Sequence, residues 1–384
     1  MSEIARADAI NATLCRRCAT RLSVSQGNTV EDAQCALCRG LFLRVDDFAR
    51  LVCETLKGIE YETFWIGSRL EYGMLSRERE LTGRELQPSE MLKVELNREI
   101  GKKVSTLTGK TARNLRPDVL AVVDTAFMTC QLEIYPLFIE GRYRKLIRGI
   151  PQTRWPCRRC HGKGCAYCDY NGKMYETSVE ELIAAPMMEV FQAEEHFFHG
   201  MGREDIDAVM LGDGRPFVME LRNPKRRSAD LAMLAETINQ RNEGVVQVSN
   251  LGFTDREGVR RMKQASPSKT YRVVVRFNPV PAEEKLRNIC SSIEHIMLKQ
   301  RTPKRVVHRR ADIIRERRII KCNLERFDDE KAVMEIEAEA GTYIKEFITG
   351  DNGRTRPSLS EMLGVECIVE TLDVMMVNGV EKNG

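Results

Sequence analysis

The residues with the clearest chemical potential lie in His199-Gly200-Met201-Gly202-Arg203-Glu204-Asp205-Ile206-Asp207. An arginine and its acids follow a pair of glycines, and an apolar stretch comes next. A neighbouring cation favours the charged form of a carboxylate. Such a carboxylate can act as nucleophile or base on a substrate that the protein has already positioned. The competing explanation is a polar loop closed by a surface ion pair, and nine residues do not separate the two.

Cysteine is the second chemically pointed residue type. Of thirteen cysteines, eight fall in four Cys-x-x-Cys pairs. Cys15/Cys18 and Cys35/Cys38 bracket sixteen residues, a separation at which two knuckles can close a tetrahedral thiolate site. A redox dithiol would need only one pair. Cys157/Cys160 and Cys165/Cys168 are closer, and Gly162 and Gly164 between them let the chain turn back. The expected ligand is structural zinc, one or two ions, because four cysteines leave no open position for catalysis. The second cluster also resembles one zinc repeat of the DnaJ-type chaperones, which carry several in tandem. Cys53, Cys130, Cys290, Cys322 and Cys367 sit singly in apolar surroundings and read as small core residues.

At 384 residues the chain has room for two domains and a small third. Its 60 basic and 56 acidic residues leave a charge of +4, too mild to prove a polyanion partner, so distribution matters more. Between Lys299 and Lys321 there are ten Lys or Arg against two acids, which suits phosphate contact by a mobile loop. Gly141–Arg148 interleaves Tyr143 with basic residues, a mix that suits base stacking or a solvated strand edge. No apolar run reaches a membrane span, and Met1–Ile10 lacks the features of a signal peptide; both point to a cytoplasmic protein with no membrane partner.

These groups must be positioned by helices and strands in mixed order. Helices are expected over Asp46–Leu56, with an apolar stripe Leu92, Leu96, Ile100, Val104, and over Val179–Phe191. Ala208–Leu211 and Arg215–Leu221, joined by Gly212-Asp213-Gly214, give a hairpin signal. Ser228 is expected to cap the helix carrying Leu231, Leu234 and Ile238. Tyr61–Gly67, Leu120–Val123, Cys130–Ile139, Val245–Leu251, Tyr271–Phe277, Ile313–Phe327, Ala332–Ala340 and Val365–Val377 read as strands. There is no Gly-rich dinucleotide or P-loop fingerprint and no zinc-deaminase signature, so no organic cofactor is expected.

Three stretches converge on one resemblance. Gly202-Arg203-Glu204-Asp205 resembles the Arg-x-Asp element of the pseudouridine synthases, Lys269-Thr270-Tyr271 their second motif, and Gly341-Thr342-Tyr343-Ile344-Lys345 their third. Gly202–Leu211 with Gly214–Phe217, Gln300–Asp312 and Gly341–Gly353 resemble more narrowly the tRNA pseudouridine synthase family numbered ten, in its archaeal form. The resemblance implies an α+β protein: residues 1–150 a zinc knuckle with a THUMP-type α/β RNA-binding domain, 151–175 a second knuckle, and 176–384 a catalytic domain with a mixed, mainly antiparallel sheet. It implies isomerisation of uridine to pseudouridine in the tRNA T-loop, at position 55 and, in archaea, also 54. It makes Asp205 the catalytic residue and Tyr271 the base platform. Lys345 becomes the counter-charge, a role Arg203 can share, beside Tyr343, while Ile344 and Leu372 fill apolar pocket positions. Many relatives carry Arg where this chain has Lys345. The partner implied is tRNA, met as a monomer. A non-catalytic zinc-dependent tRNA-binding chaperone is the alternative, and a THUMP-bearing tRNA methyltransferase is disfavoured by the missing Gly-rich fingerprint.

Overall fold

The computed structural model describes residues 13–23, 29–82, 90–328 and 330–378. The N-terminal stretch tested for a signal peptide lies outside them. The chain divides into two units. One holds residues 1–136 with 191–195 and 221–228; the other holds 137–190, 196–220 and 229–384.

In the first unit, strands β1 (Thr63–Arg69), β2 (Thr111–Ala112), β3 (Val119–Asp124) and β4 (Thr129–Ile134) form a sheet in the order β2-β1-β3-β4. β1 runs parallel to β2 and β3, and β4 is antiparallel to β3. Val119, Ala121 and Val123 face inward at the two-residue period of a half-buried strand. The apolar stripe of helix Leu92–Thr108 is fully buried, as its four-residue spacing predicts. That helix stops at Gly109, whose φ of 71° a β-carbon would disfavour.

The second unit is built on a ten-stranded sheet. Its strands are β5 (Leu137–Lys145), β6 (Glu195–Gly200), β7 (Met210–Arg222), β8 (Val246–Thr254), β9 (Lys269–Asn278), β10 (Met297–Arg301), β11 (Ile314–Asp328), β12 (Lys331–Ala338), β13 (Thr355–Arg356) and β14 (Glu366–Val377). The order is β13-β10-β11-β12-β9-β14-β7-β5-β8, with β6 beside β7. Most pairs are antiparallel and β14–β7 is parallel, the mixed sheet expected. Val273, Val275 and Phe277 of β9 point into the core.

Three local expectations are corrected. The run Cys130–Ile139 is two strands, β4 and the start of β5, which belong to different sheets. Gly212-Asp213-Gly214 is no hairpin turn, because β7 continues through it. Its glycines have φ of 56° and 78°, and neighbouring backbone leaves no room for a side chain: a β-carbon at Gly212 would overlap the Met375 carbonyl oxygen, and one at Gly214 would sit 2.7 Å from the Tyr143 carbonyl oxygen. The helix Leu231–Arg241 is capped by Asp230, which accepts from the Ala232 and Met233 N–H groups, while the Ser228 hydroxyl donates to Glu60.

Gly212→Ala combines a left-handed backbone with a backbone overlap. It should lower stability by about 2 kcal/mol or more, read as a fall in the urea midpoint at unchanged slope.

Candidate active site

The loop from Gly200 to Asp207 joins β6 to β7 and is anchored from beneath. Glu204 points inward, and Arg215 of β7 donates through Nε to its Oε2 at 2.8 Å. Both side chains have no solvent exposure. The Tyr143 hydroxyl donates to Glu204 at 2.8–2.9 Å, and Gln152 Nε2 donates to that hydroxyl at 2.7 Å and to the Gly202 carbonyl at 2.9 Å. Arg215 Nη1 donates to the Met201 carbonyl at 2.8 Å. Lys145 Nζ reaches the carbonyls of Asp205 and Ile206 at 3.2 and 3.1 Å. Burial, reinforced by Glu204, pushes the Tyr143 hydroxyl well above its ordinary value. Burial also lowers Lys145. Of the basic-aromatic stretch Gly141–Arg148, Tyr143 and Lys145 therefore serve the interior, while Arg144 and Arg148 are exposed. Tyr143 is a fully buried anchor of the loop and offers no stacking surface.

With Glu204 held inward, the Asp205 carboxylate projects outward to two cations. Arg305 Nη1 lies 3.3 Å from it and Lys345 Nζ 3.4 Å. Lys345 is closer to Asp207, at 2.8 Å. Asp207 is held below the usual carboxylate range: partial burial works against this, and the Lys345 ammonium prevails. Arg305 is itself gripped by the buried Glu346, Nε to Oε1 at 2.7 Å. Burial opposes the guanidinium charge, but Glu346 and Asp205 raise its pKa above the ordinary value. Arg203, expected to share the pairing at Asp205, has its guanidinium over the Trp155 ring, 5.0 Å from the centroid.

Tyr271 is half-buried in β9, opposite Val374 of β14 and Ile336 of β12. Burial pushes its hydroxyl up to about 12; Arg215 works against this and Asp205 adds to it, which places both charges within electrostatic reach. Tyr343 is fixed by Gln300, which accepts from its N–H at 2.9 Å and donates to its carbonyl at 3.0 Å. Its hydroxyl accepts from Arg310 at 2.9 Å. Leu372 is partly buried and packs, like Tyr271, against the core of this unit. Ile344 is only 3% exposed and is a member of that core.

Sequence reasoning alone misses Glu204, Arg215, Arg305 and Glu346 as site residues. Arg215 offered one signal, a charge at the head of an apolar strand run; Arg305 stood among many basic neighbours with nothing to single it out.

Both cysteine tetrads come together. Within each, the four sulfurs lie within 4.8 Å of one another. The sulfur separations of 3.7 Å for Cys15–Cys38 and 3.8–3.9 Å among Cys157, Cys160, Cys165 and Cys168 match a tetrahedron with metal–sulfur bonds of about 2.3 Å. Backbone N–H groups point at the second set, Gly164 to Cys160 at 3.1 Å and Cys165 to Cys168 at 3.3 Å, and so favour thiolates. Hydrogen bonding from the Cys160 backbone leads in lowering the Cys157 thiol to about 7. Each tetrad can hold a metal ion.

The sequence matches two family models, one described as the archaeal Pus10 THUMP domain over residues 48–124 and one as the Pus10 C-terminal region over residues 138–378. A THUMP domain followed by this C-terminal unit is the class of protein that these matches define. Among its relatives, the tRNA pseudouridine synthase Pus10 of Methanopyrus kandleri is 45% identical over 352 residues, covering 90% of this chain and 80% of that protein. That of Archaeoglobus fulgidus is 43% identical over 368 residues, covering 95% and 99%. The chain belongs to the tRNA pseudouridine synthase Pus10 family. A solved Cbf5-Nop10-Gar1 complex is 16% identical with a TM-score of 0.33, covering 52% of this chain and 45% of that one, a likeness too slight to bear on the fold.

Glu204→Gln leaves the buried Arg215 guanidinium without its counter-charge. It should cost about 3 kcal/mol in a denaturant titration, and Arg215→Met in the same chain should recover part of the loss.

Proposed function

We propose that this protein isomerises uridine to pseudouridine in the T-loop of tRNA, at position 55 and also 54, with Asp205 as the catalytic residue. One observation carries the assignment. The Asp205 carboxylate is presented outward from a rigid buried anchor, between the cations of Arg305 and Lys345.

The chemistry follows from those groups. A target uridine must leave its stack, and the half-buried Tyr271 ring gives the flipped base a platform. The Asp205 carboxylate is the group that acts on the ribose, by adding to C1′ or by taking the 2′ proton. On either route the N1–C1′ bond breaks with its electron pair leaving on the base. The base turns and C5 bonds to C1′, as the Asp205–C1′ ester bond breaks on the first route or C2′ takes its proton back from Asp205 on the second; the C5 proton is then lost to a base or water, and N1 gains one. Arg305 and Lys345 hold the carboxylate in place, and Arg310 steadies Tyr343 at the rim. Leu372 packs against the same core as Tyr271, and the Arg203 guanidinium lies over the Trp155 ring. No step uses an organic cofactor.

In this reading the THUMP-bearing unit grips the tRNA, and the basic segment Lys299–Lys321 adds phosphate contacts. Cys15, Cys18, Cys35 and Cys38 would hold one structural zinc, and Cys157, Cys160, Cys165 and Cys168 a second. We read the protein as a cytoplasmic monomer on a large asymmetric substrate. No helix among the described residues is long and apolar enough to cross a membrane.

Unmodified tRNA transcript incubated with the protein alone should acquire pseudouridine in the T-loop, mapped chemically. Asp205→Asn should form none while binding tRNA within about twofold of wild type. Full activity in Asp205→Asn, with loss in Asp207→Asn, would transfer the role to the neighbour. Binding without product in the wild-type protein would favour the chaperone alternative. Chelation should unfold the knuckles or weaken tRNA binding before it touches the chemical step; a chelated protein that folds, binds tRNA and loses only chemistry would refute structural zinc.

A further inference from the structure

Lys269 opens β9, two residues before Tyr271, so the two side chains share a face of the strand. It is half-buried, and among the described residues its ammonium has neither a hydrogen-bond acceptor nor an ion-pair partner. Its place is beside the catalytic loop. A β-carbon built on Gly202 would lie 3.6 Å from Lys269 Cε, 3.8 Å from its Nζ and 3.2 Å from Arg215 Nη1. Gly202 is exposed, so the ammonium sits just under a piece of backbone that faces solvent.

Among the described residues the surrounding acids are engaged elsewhere. Glu204 is taken by Arg215 and Tyr143. Asp205 faces Arg305 and Lys345. Glu337 accepts from Ser268 and Asn378. Across the sheet Lys269 meets Ala338 and Val377, which offer no charge. The second cation nearby, Arg215, has its own orphan: Nη2 is buried with no acceptor. Burial and the Arg215 charge together pull Lys269 down to about 8.

A half-buried cation without a protein acceptor, beside a second cation, lowers the stability of the folded chain. The same arrangement is what an anion-binding position requires, because donors already placed and partly shielded from water need less reorganisation when charge arrives. We propose that Lys269 receives an anionic oxygen of the RNA at the target nucleotide. This rests on the pseudouridine synthase reading. Two oxygens share that chemistry. One is the uracil carbonyl oxygen that takes up charge when the N1–C1′ electron pair leaves on the base. The other is a phosphate oxygen beside the flipped nucleotide. In both, Lys269 donates an N–H···O contact and transfers no proton.

The test compares full-length wild type, Lys269→Met and Lys269→Arg on unmodified tRNA transcript. It reads the single-turnover rate, Kd across a salt series and the melting temperature. Lys269→Met should melt no lower than wild type, since an unpaired cation has been removed. A rate loss of about tenfold or more at unchanged Kd assigns the contact to the charged base. A weaker Kd, with a salt slope reduced by about one, assigns it to a phosphate. Lys269→Arg should recover part of either loss. Wild-type rate and affinity in Lys269→Met overturn the proposal, as does a rate loss that merely tracks a lowered melting temperature. A wild-type protein that binds tRNA but makes no pseudouridine fails the underlying reading, and the Kd and salt arms still decide whether Lys269 meets a phosphate.

Discussion

The site depends on one fully buried ion pair, Glu204 with Arg215. Removing two charges from water costs several kcal/mol per ion, and the attraction between them offsets this only when further hydrogen bonds complete both groups. Here Tyr143 supplies two contacts to the carboxylate, and the Met201 carbonyl accepts from the guanidinium, whose Nη2 alone is left without an acceptor. Gln152 then ties Tyr143 to the Gly202 carbonyl. The loop is therefore gripped on both sides of Glu204, and its neighbour Asp205 has little freedom except to face outward. The catalytic role proposed for Asp205 needs this kind of rigid support, because small displacements from a productive geometry are costly.

The charges around Asp205 do different work. Its contacts with Arg305 and Lys345 are 3.3 and 3.4 Å long and only partly shielded from solvent. Pairs of that kind contribute about 1 kcal/mol or less to stability, so their value lies in orientation. Arg305 is the better fixed of the two, since the buried Glu346 holds it from behind. Lys345 divides itself between Asp205 and Asp207 and favours the latter. A lysine does this as a point charge with rotatable donors, whereas Arg305 spans Glu346 and Asp205 with different nitrogens of its planar fork. Lys345 thus shares Asp205 with a second cation, Arg305.

The cysteine tetrads solve a separate problem. A metal ion held by four cysteines would cross-link a short segment and add to the burial of its own side chains. In the first unit the knuckle is also wired into the domain: Arg21 donates to Glu95 of the long helix at 2.8 Å and contacts the Cys18 sulfur at 3.5 Å. That positive charge beside a cysteine favours the thiolate, the form that ligates metal.

What could be read from sequence had local causes. The stripe Leu92, Leu96, Ile100, Val104 announces its helix because a helix repeats within a few residues, and the four Cys-x-x-Cys pairs announce their tetrads because each knuckle is contiguous. Asp205, Tyr271 and Lys345 were recognisable as short motifs. Tertiary structure alone decided the rest. Gly212 and Gly214 resemble a turn until the carbonyls of Met375 and Tyr143 are seen pressing on the strand. Tyr143 and Arg215 resemble surface residues until each finds Glu204, 61 and 11 residues away. Arg305 is one basic residue among ten until the fold brings it to an acid 100 residues distant. Sequence carries residue type and local period; whether a charge is buried, paired or orphaned depends on partners that only the folded chain brings within hydrogen-bond range.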